Sequence, residues 1–462
     1  MRPRASTPAG AQGERAPVRL VSAPSRPAGL LVRGAHVLDP RSGIDGLHDV
    51  LVRNGQIADI AAPGTIATPP DGVETVDGEG RHLFPAFVDP HVHLRTPGQE
   101  HKEDLETGTR AAAAGGYCAI VAMPNTDPVV DSAPILNALL DAAAREARVP
   151  VGFTAAITRG LAGRELTDMA ELRALGAAAF TDDGRPVADA GVFRRALQYQ
   201  RLCGGVLALH EEDPALSGSG AMHEGEVSAL LGVTGIPSVS ESTMIARDCA
   251  LAEYEGARIH LQHLSARESV VAAAAAKARG VQVTCEVSPH HLTMTDEDVR
   301  GLDTRRKMNP PLRAALDRQT LVEGLRSGVV DCIATDHAPH ARDEKEVPFE
   351  QAPMGTTGLE TAFAAVHTDL VVPGTLELGL VVEKMTAGLG LLGLLVPKIA
   401  AGEPANLVLV DLAAEWTVGE SGYESRSDNC CLAGRRLKGR VLLTVAAGAV
   451  VYRERSIMLS AA

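Results

Sequence analysis

The stretch Phe87–Gly98 reads FVDPHVHLRTPG and sets His91 and His93 two positions apart. In an extended strand, side chains i and i+2 leave the same face. Both imidazoles can therefore reach one cation while Val92 packs behind them. A pair like this alone is weak, since surface turns carry it about as often as metal sites do. Asp183 in FTDDG, His210 in LALHEED, His263 in IHLQHLS and Asp336 in IATDHAPH change the balance, because each follows an apolar, strand-like run. Four imidazoles and two carboxylates suit two Zn2+ ions or similar borderline metals, with a bridging ligand and an open position. Such a centre lowers the pKa of a bound water and polarises a carbonyl, which is the chemistry of amide hydrolysis. Asp336 could take the proton of that water and pass it to a leaving nitrogen, as general base and then general acid.

Arg95 continues the strand phase of His91 and His93. A cation beside metal ions is repelled unless an anion lies between them. A guanidinium grips a planar carboxylate with two parallel hydrogen bonds. The substrate is therefore expected to carry a carboxylate near a hydrolysable amide carbon. Asn125, in MPNT, and His340 are placed to complete that clamp.

Eight short apolar segments, at 84–91, 117–123, 151–157, 177–181, 205–209, 257–262, 281–287 and 330–335, alternate with helical patterns. Alternation of this kind implies a parallel sheet, and eight units make a closed (β/α)8 barrel. The candidate site residues gather at the C-terminal strand ends, where such barrels carry their chemistry. Strand-like stretches without covering helices bracket this region, with a two-residue hairpin signal at Asn54-Gly55. They predict one small composite β-sandwich built from both termini. The expected division is a flexible tail over 1–28, sandwich over 29–83, barrel over 84–394 and sandwich again over 395–462.

Composition narrows the function. Aromatic residues are 3% of the 462, too few for base-stacking platforms, and a net charge of −14 argues against binding a polyanion. No apolar run is long enough to cross a bilayer, and the N-terminal segment lacks the apolar middle of a signal peptide. The seven cysteines form no CxxC pair. Buried, reduced thiols of a cytoplasmic protein are the expected state.

Other histidines have plainer readings. His290 and His291 in SPHHL sit beside a ligand set that is already complete, so a hydrogen-bonded strand-end role is expected. His260 lies inside an apolar strand and is expected to be a satisfied wall residue. One of Glu211 and Glu212 is expected to accept from the neighbouring imidazole of His210. The polar, aperiodic segment 339–358 is expected to be a lid over the barrel mouth.

Taken together, DPHVHLRTPG, MPNT, FTDDG, SPHHL, KMNPPLR and TDHAPH resemble the dihydroorotases of the class I bacterial type, in the amidohydrolase superfamily, from about residue 30 onward. The resemblance implies interconversion of N-carbamoyl-L-aspartate and (S)-dihydroorotate, the third step of pyrimidine biosynthesis. It implies His91, His93 and Asp336 on one zinc, His210 and His263 on a second, and Asp183 with a hydroxide bridging both. It also implies substrate contacts at His93, Arg95, Asn125, Asn309 and His340, with backbone contacts at Met354 and Gly355. Hydantoinases and dihydropyrimidinases on this scaffold bridge their metals with a carboxylated lysine, and AAAFTDDGRP holds no lysine. Members of the family also imply homo-oligomers and an aspartate carbamoyltransferase partner, and an inactive scaffold for that partner is a further alternative. DNCCLAG, residues 428–434, departs from the family's usual pattern before its last hairpin.

Overall fold

The computed structural model describes residues 18–66, 72–394 and 396–454. Most of the expected tail, residues 1–17, lies outside them. The structure corrects the rest of that expectation. Val21 pairs antiparallel with Val151, the Arg19 N–H donates to the Gly176 carbonyl, and the Ala23 N–H donates to that of Ala147. This segment is backbone-bonded to the body of the protein. Its Pro- and Ala-rich composition gives no alternation from which to predict that.

Strands Phe87–Val92, Tyr117–Ala122 and Val151–Phe153 pair in parallel, in that order. Single parallel bridges carry the pairing from Ala155 to Phe180 and from Phe180 to Leu207. Strands Leu207–Leu209, Arg258–Leu261, Gln282–Val287 and Cys332–Ile333 continue it. A bridge between His337 and Val92 returns the circuit to its first strand. Each of the eight apolar segments contributes, the fourth through the bridges at Phe180 and the Ala178 N–H, which donates to the Phe153 carbonyl at 2.8 Å. The first two strands are buried at every residue, as in parallel sheets covered on both faces.

Helices cover the circuit from outside. The helix Leu105–Ala114 shows how they are placed. The Asp104 side chain accepts from the Thr107 N–H at 2.8 Å while the Thr107 hydroxyl oxygen accepts from the Asp104 N–H, a reciprocal cap. The helix stops at Gly115, where a Cβ would lie 2.2 Å from the Leu359 carbonyl oxygen. The chain then re-enters the sheet at Tyr117.

A separate eight-stranded sheet takes strands from both ends of the chain. Strand Leu30–Asp39 pairs with Ile44–Arg53, Glu74–Asp77 and His82–Pro85, and the last of these pairs with Leu407–Thr417. Asn54 and Gly55 both have positive φ, 49° and 76°, as a tight two-residue hairpin turn requires. The sheet folds over on itself. The Gly55 turn meets the Gly448 turn, where a Cβ on Gly55 would lie 2.9 Å from the Gly448 carbonyl oxygen. Leu30, Val50 and Ile57 from the first half share one core with Leu407, Leu409 and Val445 from the second.

Candidate metal centre

The strand-end residues converge. The ligand atoms of His91, His93 and Asp183 lie within 4.8 Å of one another, as do those of Asp183, His210 and His263. All five residues are buried, and Asp183 belongs to both groups. Asp336 flanks the first group, with Oδ1 3.0 Å from His93 Nε2 and 3.5 Å from His91 Nε2.

Outer partners fix which nitrogen faces inward. His91 Nδ1–H donates to Glu286 Oε1 at 2.6 Å, and Nε2, left without a hydrogen-bond partner, points at Asp183 and Asp336. The Asn125 amide donates to Asp183 Oδ2 at 3.1 Å, so its carbonyl oxygen accepts from His93 Nδ1 at 2.9 Å. Glu212 lies 3.4 Å from His210 Nε2, and His210 Nδ1 then faces His263 Nε2 at 2.9 Å. Inward lone pairs on His91, His93 and His210, each backed by an acceptor on the far nitrogen, match the way imidazoles are held for a cation, whereas His263 Nδ1 is buried without a partner. The donor set fits metal on this observation.

The electrostatics agree. Burial opposes charge on His91, yet Glu286 and Asp183 hold its pKa well above the usual value. Burial also pushes Asp183 up, but hydrogen bonds to His263 and His91 hold it well below the carboxylate range. Asp336 follows the same pattern, with burial outweighed by His93 and His91, and is held at about 2. The pocket favours positive charge. Arg95, His263 and Asp336 adopt left-handed backbone, φ 60°, 33° and 49°. Such conformations cost about 1–3 kcal/mol each in non-glycine residues and gather at functional sites.

Arg95 is buried beside this centre. Its Nε–H donates to the Pro339 carbonyl at 3.0 Å, and Nη2 lies 3.5 Å from His340 Nε2. Burial lowers its pKa to about 10, with Asp336 and Asp183 raising it, so it stays cationic near neutrality. Burial and the Arg95 charge push His340 down to about 2, so it is a neutral imidazole.

Other expected substrate residues already have partners within the protein. Asn125 holds His93 and Asp183, as above. Asn309 Nδ2–H donates to Glu212 Oε2 at 2.6 Å while its Oδ1 is buried without a partner. The Met354 carbonyl lies 2.9 Å from His340 Nε2, and the Gly355 N–H donates to the Lys307 carbonyl at 2.8 Å. Gly355 has φ 136°, and a Cβ there would lie 2.8 Å from the Ala338 Cβ and 3.0 Å from His340 Nε2. Only glycine fits. The segment after Asp336 is tied down by Lys345, whose ammonium donates to the Thr304 and Pro353 carbonyls at 3.0 and 2.7 Å.

Asp182 turns away, bonded to the Thr158 N–H and hydroxyl. His260 is satisfied by Thr284 and Glu286, both at 2.9 Å. His291 bonds Ser288 and the Pro310 carbonyl, whereas His290 Nε2 is buried without a partner. Sequence reasoning missed Glu286, which joins His91, His260 and the His263 N–H. Its one signal is an acidic residue inside the otherwise apolar strand end CEV.

Parallel strands whose C-terminal ends carry two imidazole–carboxylate groups around a shared aspartate define a metal-dependent amide hydrolase. Comparison with known proteins narrows this. Residues 80–269 match the family model described as dihydro-orotase-like. The chain is 47% identical to a dihydroorotase from Anaeromyxobacter sp. (strain K) over 92% of its length and 98% of that protein. It is 44% identical to one from Trichlorobacter lovleyi, over 92% of its length and all of that protein. The chain belongs to the dihydroorotase family. Among solved structures, the L-hydantoinase from Arthrobacter aurescens superposes with TM-score 0.80 at 25% identity, covering 92% of this chain and 96% of its own. A D-hydantoinase from Thermus sp. superposes with TM-score 0.78 at 24% identity and shares the fold.

Proposed function

We propose that the protein is a dihydroorotase, closing N-carbamoyl-L-aspartate to (S)-dihydroorotate and opening it again, in a (β/α)8 barrel carrying a composite β-sandwich. The circuit of parallel pairings supports the barrel, and the sheet folded over its own core supports the sandwich. The observation that carries the substrate reading is Arg95, a buried guanidinium placed beside the residues that would hold the metal ions. With cations held at that centre, an anionic substrate group would offset their repulsion of the guanidinium.

His91, His93 and Asp336 would hold one zinc and His210 and His263 the other, with Asp183 between them. Bound there, the two ions supply an activated water and polarise the amide carbonyl under attack. Asp336, ionised and within reach of that position, takes a proton as the bond to the ring carbon forms. It returns the proton to the ring nitrogen as the C–N bond breaks, and ring closure runs the same transfers backwards. Arg95 holds the substrate carboxylate through its free guanidinium edge, and neutral His340, its Nε2–H donating to the Met354 carbonyl, lines the clamp without adding charge. Asn125 acts as a positioning residue, fixing the His93 ring and the Asp183 carboxylate together. Residues 339–358 would act as the lid over the mouth of the site.

The hydantoinase reading draws on the superpositions, but a neutral ring offers the Arg95 guanidinium no carboxylate to grip. Absorbance of L-dihydroorotate with zinc-loaded protein, beside hydantoin and dihydrouracil, separates the two. Selective loss of the dihydroorotate signal, stopped by a chelator, is expected. Turnover of the neutral rings alone would overturn the assignment. Homo-oligomers and assembly with aspartate carbamoyltransferase, both implied by the resemblance, belong to the same proposal and are read by sedimentation of the chain with and without that enzyme.

A further inference from the structure

Cys430 and Cys431 are adjacent, buried and free of any disulfide. No other two of the seven cysteines are neighbours in the chain. The neighbouring Cys431 thiol draws the Cys430 pKa below the usual thiol value, and thiolate is the reactive form of a cysteine. Cys430 borders a narrow cleft with Thr361, Glu360 and Tyr423, and its Sγ lies 3.9 Å from the Thr361 hydroxyl. The Tyr423 hydroxyl, buried in the same cleft, has no hydrogen-bond partner.

Geometry selects what such a pair can take. Cα atoms of neighbouring residues lie about 3.8 Å apart across a trans peptide, short of the roughly 4.4–6.8 Å that an ordinary disulfide spans. A direct S–S bond is therefore strained. One large thiophilic atom bound to both sulfurs closes a wider ring.

The pair is wired to the substrate side of the catalytic centre. The Cys431 N–H donates to the Thr356 hydroxyl oxygen at 2.8 Å, and that hydroxyl donates to the Asn429 carbonyl at 3.1 Å. The Asn429 side chain accepts from the His340 N–H at 3.0 Å and donates to the Ala338 and Gly355 carbonyls at 3.1 and 3.2 Å. One asparagine thus clamps both backbone strands that carry His340 and Met354-Gly355. Any shift of the turn that follows it reaches the pocket of Arg95.

We propose that Cys430 and Cys431 form a dithiol site for trivalent arsenicals, and that loading it disables the catalytic centre through Asn429. With arsenous acid, two As–O bonds break and two As–S bonds form. The two thiol protons leave with the two hydroxyl groups as water. Arsenic stays trivalent, so no oxidant or reductant is needed. Because both sulfurs are buried, loading proceeds through local opening of the 428–434 turn.

The test treats zinc-loaded, full-length protein with phenylarsine oxide, reading intact mass and dihydroorotate turnover together. One phenylarsenic per chain is expected, with loss of turnover that ethanedithiol reverses. Cys430→Ser and Cys431→Ser each leave one thiol and should weaken uptake by about 100-fold through loss of the chelate. Cys285→Ser should not, although Cys285 lies on a strand paired to that of Cys332. Cys431→Ala, checked by circular dichroism, serves if a serine variant does not fold. Uptake by the Cys430 or Cys431 variants equal to that of the native protein, or none by the native protein, overturns the site. Uptake with full turnover overturns the coupling. The mass readout stands whatever the substrate proves to be.

Discussion

Glu286→Gln keeps the shape of the side chain but removes its charge and turns one acceptor oxygen into an amide donor. Glu286 is fully buried, with Oε1 2.6 Å from His91 Nδ1 and 3.2 Å from the His263 N–H, and Oε2 2.9 Å from His260 Nε2. Burial pushes its pKa up, but the His91 charge and the His260 and His91 hydrogen bonds hold it far below the usual range. Glutamine has one acceptor oxygen, so one of the two imidazoles must face an amide N–H. If His91 loses its acceptor, the ring turns and its Nε2 leaves the position shared with Asp183. A hydrogen bond to a charged group contributes about 1.5–3 kcal/mol and a neutral one about 0.5–1.5. The difference, about 1–2 kcal/mol, is a 5- to 30-fold loss, near the lower end of the roughly 10- to 100-fold expected when such an outer partner of a metal ligand changes. Dialysis against a graded chelator, followed by metal analysis and residual turnover, reads it. Zinc retention and turnover equal to the unaltered protein, in a variant with unchanged melting temperature, would refute this account of how His91 is held.

Arg95→Ala should raise KM for dihydroorotate by about 100-fold, from the loss of a paired, charge-assisted grip, with zinc content unchanged in metal analysis. Equal loss of zinc and substrate affinity would remove Arg95 from its role. Gly355→Ala forces a Cβ against Ala338 and His340, so turnover should fall by at least about tenfold; a variant with native KM and kcat would contradict it. Lys345 is pushed down to about 7 by burial, against about 10.4 in the unfolded chain. Between those values the unfolded state binds the extra proton, so the native protein should gain stability over Lys345→Met as pH rises from 7 to 10, with a slope approaching about 1.4 kcal/mol per pH unit. Melting curves of both proteins across that range read the difference, and a flat or falling one defeats the assignment.

Much of the frame was legible because the sequence repeats one signal. The apolar runs mark the buried parallel strands, and His91, His210, His263 and Asp336 stand at or just past their C-terminal ends. The shared role of Asp183 over Asp182 came from resemblance, and the structure gives the reason: Thr158 takes Asp182. What composition hides is partnership. An amide such as Asn125 reads as a substrate clamp, yet its two ends suit an imidazole N–H and a carboxylate equally well, and here it binds those. Met354 and Gly355 read as free backbone groups, and their bonds to His340 and Lys307 depend on a long-range approach that no local pattern encodes. Residues 19–23 have a similar excuse, since a few hydrogen bonds to Val151, Ala147 and Gly176 leave no periodicity.

The central claim is that two cations share Asp183 and turn over a carboxylate-bearing cyclic amide. Its most direct test is to strip the protein with chelator, add zinc in steps, and follow bound metal and L-dihydroorotate turnover on the same samples. Turnover absent without metal and rising until both groups are filled is the predicted result. Full turnover in the stripped protein, or zinc uptake unchanged in Asp183→Ala, would contradict it.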